Sequence, residues 1–189
     1  DRYFTDNFQA LPKDGYAKCF QRIFDHPCIT VELNREFKYD DIDDFDFSFL
    51  CLPIDSFFNY CFGKLPYRSI KFEHRMQRMN LPSPVVNFTD EGIHTRMTQW
   101  DLLPNSPAGL AGHTITYETP CSPEDNENEI YYPVRNSDSL DVYKKYCEKS
   151  SSLSNIQFCG RTGLFEYLDM VPAITKHLSL ASNFLKNCT

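Results

Sequence analysis

The sequence is poor in glycine and holds neither of the common glycine motifs that bind nucleotide phosphates. It has seven glycines among 189 residues, which is about half the average share for proteins. Neither a G-x-G-x-x-G dinucleotide fingerprint nor a G-x-x-x-x-G-K P-loop occurs. These residues therefore carry no dinucleotide fingerprint and no P-loop of their own.

Long apolar runs and an excess of positive charge are also missing. No apolar run is long enough to span a membrane, and no secretory signal is present. The formal net charge of -7 argues against sequence-independent nucleic-acid binding. We therefore expect a cytoplasmic protein without membrane insertion and without a nucleic-acid partner. The chain starts at Asp1 inside an aromatic, polar segment, and we expect it to be a piece of a longer protein.

Spacings typical of metal sites are absent as well. Eight cysteines are present, but no two are spaced C-x-x-C, and the five histidines show no metal-ligand spacing. Cys51 and Cys159 lie inside apolar runs, so we interpret them as free buried thiols in a reducing cytosol. The acidic run over residues 40–46 lacks the glycine and terminal glutamate of an EF-hand. It is predicted to be a solvated loop rather than a calcium site.

Hydrophobic periodicity predicts an α+β fold, with an antiparallel sheet and helices at one side and at the end. A buried run is predicted at Phe49–Leu52 and a helical turn over residues 55–60. Helices are predicted to begin at Asp14-Gly15, at Ser139 as N-cap, and at Asp169 as N-cap. Strands are predicted over residues 29–33, 45–49, 67–76, 85–89, 93–100, 113–119 and 155–159.

The stretch from Asn155 to Met170 is predicted to organise the chain. A short strand reaches Cys159, residues 160–163 form a glycine turn that carries an arginine, and a helix follows. Helix N-termini favour negative groups such as phosphate. The helix shows one apolar stripe that we expect to be its packing face: Val171, Ile174, Leu178, Ala181 and Leu185.

Arginines and tyrosines recur among aromatic residues in this chain. Arg68, for example, shares its strand face with the apolar residues Ile70, Phe72 and Met76. Arginine binds phosphate in a bidentate manner, and aromatic rings stack on bases and sugars. This set of arginines and tyrosines suits the binding of an anionic nucleotide-sugar. Composition alone, however, favours a tyrosine-rich core with scattered ion pairs.

Ordered motifs along nearly the whole chain resemble the UDP-galactopyranose mutase family. The most specific is Gly160-Arg161 followed by residues 167–170. The others are Asp1-Arg-Tyr-Phe-Thr-Asp6, Leu11-Pro-Lys-Asp-Gly-Tyr16, Pro53-Ile-Asp-Ser-Phe-Phe-Asn-Tyr60, Gly63-Lys-Leu-Pro-Tyr-Arg-Ser69, Val85-Val-Asn-Phe-Thr-Asp90, His94-Thr-Arg96 and Tyr131-Tyr-Pro-Val134.

The resemblance implies an isomerase that interconverts UDP-galactopyranose and UDP-galactofuranose for cell-surface polysaccharide synthesis. It implies that reduced FAD is the nucleophile, that UDP-galactose is the substrate, and that no side chain beyond the flavin is catalytic. It also places the binding residues. Those at the substrate are Tyr3, Phe4, Arg68, Asn87, Arg96, Tyr132 and Tyr167. Those at FAD are Gly160, Arg161, Asp169 and Met170.

The resemblance further divides the chain. Residues 1–134 are expected to form the antiparallel substrate-binding sheet, and residues 135–189 to complete an FAD-binding domain whose glycine fingerprint lies upstream. We therefore expect this chain alone to be inactive and not to retain FAD. Leu52 and Cys159 stand where the family has glycines, and Leu168 where it has tyrosine. Alternatives left open are a non-catalytic nucleotide-sugar-binding module, a related flavoprotein with another substrate, and a homo-oligomer.

Overall fold

The computed structural model describes residues 7–8, 10–103, 106 and 112–187. The predicted site residues Tyr3 and Phe4 lie outside this range. Two compact units are present. Unit 1 comprises residues 1–35 and 72–119, and unit 2 comprises residues 36–71 and 120–189. Two of the three boundaries fall within strands, one within Tyr67–Gln77 and one within His113–Cys121. The division predicted at residue 134 separates a substrate-binding part from an FAD-binding part rather than two compact units, and it stays a prediction.

Unit 1 contains helix α1 (Gly15–Phe24) and an antiparallel arrangement of strands. The strands are β2 (Tyr67–Gln77, whose second half lies here), β3 (Val85–Asn87), β4 (Arg96–Gln99) and β5 (His113–Cys121), in the order β3-β4-β5-β2. The 3-10 turn Trp100–Leu102 follows β4. Ile115 is fully buried and Leu81 nearly so. Each of these strands gains backbone hydrogen bonds from its neighbours in this order.

Unit 2 contains the remaining elements and the larger apolar core. Its helices are α2 (Ile54–Phe57), α3 (Ser137–Ser150), α4 (Gly160–Gly163) and α5 (Met170–Asn187), with 3-10 turns at Tyr39–Asp44 and Pro123–Asp125. Strand β1 (Ser48–Leu50) pairs in parallel with β7 (Ile156–Phe158), and β6 (Tyr132–Pro133) pairs antiparallel with β2. The core cluster is Ile42, Leu50, Ile54, Phe57, Phe58, Leu65, Tyr146, Ile156 and Phe165.

The α+β class is confirmed, as are most strands and helices, but one predicted strand is wrong. Residues 29–33 form no strand, and Ile29, Val31 and Leu33 are exposed. Alternation alone does not make a strand where no neighbouring strand supplies hydrogen bonds. The predicted solvated loop at residues 40–46 begins as a 3-10 turn that buries Ile42.

The predicted starts of α1 and α5 are confirmed, but that of α3 is wrong. Helix α3 begins earlier, with Asn136 as N-cap and Ser139 at the third helical position. The Asn136 side chain accepts from the Ser139 N–H at 2.8 Å, and the Asn136 N–H donates to Ser139 Oγ at 2.9 Å. This is a reciprocal capping box. The predicted turn over residues 160–163 is one turn of helix, α4.

Several faces predicted to be buried are exposed. On the Arg68 face of β2, Ile70 is buried but Phe72 and Met76 are exposed. Within the run 49–52, Phe49 and Cys51 are exposed. The apolar stripe of α5 is likewise exposed among the described residues. Periodicity identifies an apolar face correctly in these cases, but it does not tell whether another element covers that face.

Asp55 is a buried carboxyl in the core of unit 2. It is 3% exposed, and its Oδ2 accepts from the Leu65 N–H at 2.8 Å. Burial is the largest cause that raises the pKa of Asp55, and the backbone hydrogen bonds of Leu65 and Ser56 oppose it. The folded state therefore binds more protons than the unfolded state between the ordinary and the raised pKa.

Stability is expected to depend on the protonation of Asp55. Its contribution is complete below a pH of about 4, the usual aspartate pKa, and is lost as the pH rises through the raised folded pKa. Asp55→Asn keeps an acceptor for Leu65 and cannot titrate. The difference in free energy of unfolding between the native chain and this variant should therefore change across that window, measured by urea denaturation. Parallel pH curves for the two proteins would contradict the assignment.

Candidate functional site

The short pairing of β2 with β6 places an arginine beside a tyrosine in unit 2. Arg68 is directly opposite Tyr132 in this antiparallel register, so the two side chains lie on the same sheet face. Arg68 is exposed and has no salt bridge among the residues that the structure describes. Tyr132 stacks on Tyr167, with ring centroids 5.6 Å apart and planes at 28°. The pairing thus joins two strands to the loop after α4.

That loop is held by a buried aromatic residue in an unusual backbone conformation. Phe165 is fully buried with a φ of 45°, a region that a bulky side chain adopts only when its surroundings enforce it. Its ring meets Tyr67 edge to face, with centroids 5.4 Å apart. The Tyr67 hydroxyl donates to the Thr162 carbonyl at 3.3 Å. Phe165 therefore anchors the segment that presents Tyr167.

Arg161 projects from α4 onto the same loop. Its guanidinium carbon lies 5.0 Å from the centroid of the Tyr167 ring, and its Nε donates to the Leu168 carbonyl at 2.5 Å. The Tyr167 hydroxyl donates to Asp169 Oδ1 at 2.8 Å, and this hydrogen bond is the main cause that raises the pKa of Tyr167. The result is a row in which two arginines flank two tyrosines, Arg68–Tyr132–Tyr167–Arg161, which we call the arginine–tyrosine row.

The start of α4 packs against α5 through a histidine that the sequence reasoning missed. Gly160 has a φ of 71°, a conformation that favours glycine. Its N–H donates to His177 Nε2 at 2.7 Å, and His177 Nδ1 lies 2.5 Å from the Ala173 carbonyl. An imidazole that accepts at one nitrogen and donates at the other is neutral. Little in the sequence singled out His177, because it is one helical residue among others and belongs to no motif.

A second group of predicted residues meets in unit 1. Asn87, Arg96 and Glu118 occupy matching positions on three adjacent strands. Arg96 Nε donates to Asn87 Oδ1 at 3.1 Å, and its Nη1 lies 3.7 Å from Glu118 Oε2. Arg96 is 47% exposed and Glu118 is 13% exposed. The ion pair is long, so Arg96 keeps guanidinium donors for another anion, while Glu118 limits how far it moves. Glu118 was not predicted.

Metal chemistry has no support among the described residues, where no group of three or more His, Cys, Asp or Glu side chains could hold an ion. None of the described helices has the length and apolarity needed to cross a membrane.

Two of the four residues predicted for FAD, Arg161 and Met170, lie where they could hold an anionic part of that cofactor. The Nη donors of Arg161 have no hydrogen-bond partner among the described residues. In the first turn of α5, Pro172 has no N–H and the Ala173 N–H donates to the Asp169 carbonyl, so the N–H groups without an intrahelical partner are those of Met170 and Val171. Arg161 and the turn at Met170 could therefore hold a negative group. The Gly160 N–H does not point to such a role, because it is engaged by His177. Asp169 is engaged by Tyr167.

Comparison with known proteins shows one family. The family model described as UDP-galactopyranose mutase matches residues 1–167. A probable UDP-galactopyranose mutase of Klebsiella pneumoniae is 34% identical over 99% of this chain and 49% of its own length. The UDP-galactopyranose mutase of Mycoplasma genitalium is 34% identical over 97% of this chain and 49% of its own length.

A further relative carries a different name. The dTDP-fucopyranose mutase of Escherichia coli is 31% identical over 99% of this chain and 52% of its own length. The chain thus spans about half the length of the curated relatives it matches. Both names describe enzymes that act on a pyranose attached to a nucleoside diphosphate.

Proposed function

Because the chain belongs to the UDP-galactopyranose mutase family, we propose that it is the part of such an isomerase that holds the UDP-sugar substrate. The whole protein would interconvert UDP-galactopyranose and UDP-galactofuranose for cell-surface polysaccharide synthesis. Residues 1–134 would provide the substrate-binding sheet, and residues 135–189 would complete the FAD-binding domain.

The arginine–tyrosine row is the single observation that carries this proposal. Two guanidinium groups flank two stacked phenol rings, and Arg68 and Arg161 both keep donors without a protein carboxylate partner in the described chain. Guanidinium groups bind phosphate oxygens by paired, charge-assisted hydrogen bonds. The Tyr132 hydroxyl would add a neutral donor, whereas the Tyr167 hydroxyl already donates to Asp169. The substrate diphosphate at Arg68 and Tyr132, and an anionic part of the cofactor at Arg161, would supply the negative charge that this row lacks.

Arg96 in unit 1 is proposed as a substrate-binding residue on the strength of the family resemblance and of its own surroundings. Its long ion pair with Glu118 leaves donors available, and Asn87 fixes its Nε. Asn87 adds an amide donor of its own beside the guanidinium. Tyr3 and Phe4 complete the proposed substrate set, on the strength of the motif that contains them.

Reduced FAD, when bound, supplies the nucleophilic nitrogen for this reaction, and the side chains of this chain bind and orient. Arg161 and the first turn of α5 at Met170 would hold an anionic part of the cofactor, and Asp169 would act through its hydrogen bond to Tyr167. Gly160 would act indirectly, since its N–H positions His177. We propose no catalytic side chain in these residues, and we expect the chain alone to bind FAD weakly and to be inactive.

The test is calorimetric titration of the chain with UDP-galactose. We expect saturable binding, and we expect uridine, which has no phosphate, to bind at least about tenfold more weakly because charge-assisted hydrogen bonds are each worth roughly 1.5–3 kcal/mol. Stronger binding of a dTDP-sugar would move the substrate towards that of the Escherichia coli relative. Equal affinity for uridine and UDP-galactose would contradict the role given to the arginines.

A further inference from the structure

Two cysteines meet where the parallel strands β1 and β7 end. The register pairs Leu50 with Phe158, so the next residues, Cys51 and Cys159, are neighbours. The Cys159 N–H donates to the Leu50 carbonyl at 2.9 Å, which fixes the backbones at this point. The two Sγ atoms lie 3.2 Å apart. The strand pairing itself therefore holds the two thiols in contact.

The two thiols have unequal surroundings. Cys51 is exposed, whereas Cys159 is only 4% exposed. The hydrogen bond from Cys159 is the main cause that lowers the pKa of Cys51 to about 6, and the same contact raises the pKa of Cys159. His177 adds to the lowering only when its ring is protonated, and its contacts in this structure are those of the neutral ring. Cys51 is thus the accessible nucleophile and Cys159 the sheltered partner.

We propose that Cys51 and Cys159 form a reversible disulfide by exchange with a low-molecular-weight disulfide. Cys51 attacks one sulfur of the reagent, forms a mixed disulfide and releases one thiolate of the reagent. The Cys159 thiolate then attacks Cys51 Sγ, forms the protein disulfide and releases the second thiolate. The protein loses two electrons and two protons, and the reagent gains both as two thiols.

The disulfide would form beside α4, the helical turn that contains Arg161. Cys51 lies directly under the start of α4, because a Cβ added to Gly160 would be 3.3 Å from Cys51 Sγ. The Cys51 carbonyl also accepts from the Thr162 hydroxyl at 2.8 Å. Drawing the two sulfurs together moves atoms that support this turn. The modification site is therefore coupled by contact to α4, independently of which ligand α4 binds.

The test is oxidation of the full chain with glutathione disulfide, alkylation of the remaining thiols, and peptide mapping by mass spectrometry. We expect a Cys51–Cys159 disulfide with a loss of two hydrogen atoms. We expect Cys51 to react roughly tenfold faster than Cys28 and Cys61, the other exposed thiols among the described residues, because more of Cys51 is thiolate. The Cys61→Ser variant is the matched control and should form the same disulfide.

Variants of the pair separate the two steps. Cys159→Ser should accumulate a mixed disulfide of glutathione at Cys51, since nothing resolves it. Cys51→Ser should leave Cys159 unmodified, because that thiol is buried. The proposal is overturned if the native chain is glutathionylated at Cys28 or Cys61 while Cys51 and Cys159 stay unlinked. Mapping of the native chain gives this answer even if a variant fails to fold.

Discussion

Replacing Phe165 with alanine should lower the free energy of unfolding by about 3–5 kcal/mol, the range for removing a buried aromatic ring. Phe165 is fully buried, and its ring contacts Tyr67 and Tyr143 in the core of unit 2. The variant leaves a cavity at the base of the loop that carries Tyr167. Urea denaturation followed by far-ultraviolet circular dichroism measures the change.

Phe8→Ala provides a control for this substitution. The same ring is removed at a position that is 83% exposed, so we expect a change within about 0.5 kcal/mol. Equal losses for the two variants would show that Phe165 is not an anchor. A small loss at Phe165 would likewise contradict the assignment, because alanine retains the Cβ that disfavours the positive φ and offers no relief to offset the lost packing.

Replacing Arg96 with alanine should weaken UDP binding by about 10- to 100-fold, since hydrogen bonds to charged groups are worth roughly 1.5–3 kcal/mol. The variant removes the guanidinium and leaves Asn87 and Glu118 in place. Glu118 then becomes an uncompensated negative charge that repels the diphosphate, which adds to the loss. Calorimetry with UDP, at fixed salt concentration, measures the change.

Arg75→Ala is the matched control for Arg96→Ala. Arg75 also lies on a strand of unit 1, is 45% exposed against 47% for Arg96, and pairs with a carboxylate, Glu73. The two variants therefore change the net charge equally. We expect Arg75→Ala to bind UDP as the native chain does. An equal loss in both variants would attribute the effect to general charge rather than to a contact of Arg96.

Local patterns predicted most of the elements but not their neighbours. Helix α1 and strands β2, β3 and β5 follow directly from period and turn residues. Residues 29–33 alternate as well as any strand, yet form none. Whether an alternating segment becomes a strand depends on a partner that lies far away in sequence, and a single sequence does not reveal it. The exposed stripe of α5 has the same explanation.

For the site as well, the sequence indicated which residue types take part but not where they lie relative to one another. The arginine and tyrosine types could be singled out from their chemistry, and the resemblance named their positions. That Tyr132 is opposite Arg68 and stacks on Tyr167 depends on strand register and on the positive φ of Phe165. Register follows from long-range pairing. Because long-range pairing was unknown, the sequence did not single out His177 and Glu118. The prediction that Cys51 is buried was wrong for the same reason, since Cys51 is exposed.

The most direct test of the central claim is phosphorus NMR of UDP titrated with the chain. The account predicts that both phosphorus signals shift and broaden on addition of the native chain, since guanidinium groups contact the diphosphate itself. It predicts that Arg96→Ala largely restores the free signals and that Arg75→Ala does not. Signals that stay at their free positions, while circular dichroism shows a folded chain at saturating concentration, would contradict the claim that these residues hold a nucleoside diphosphate.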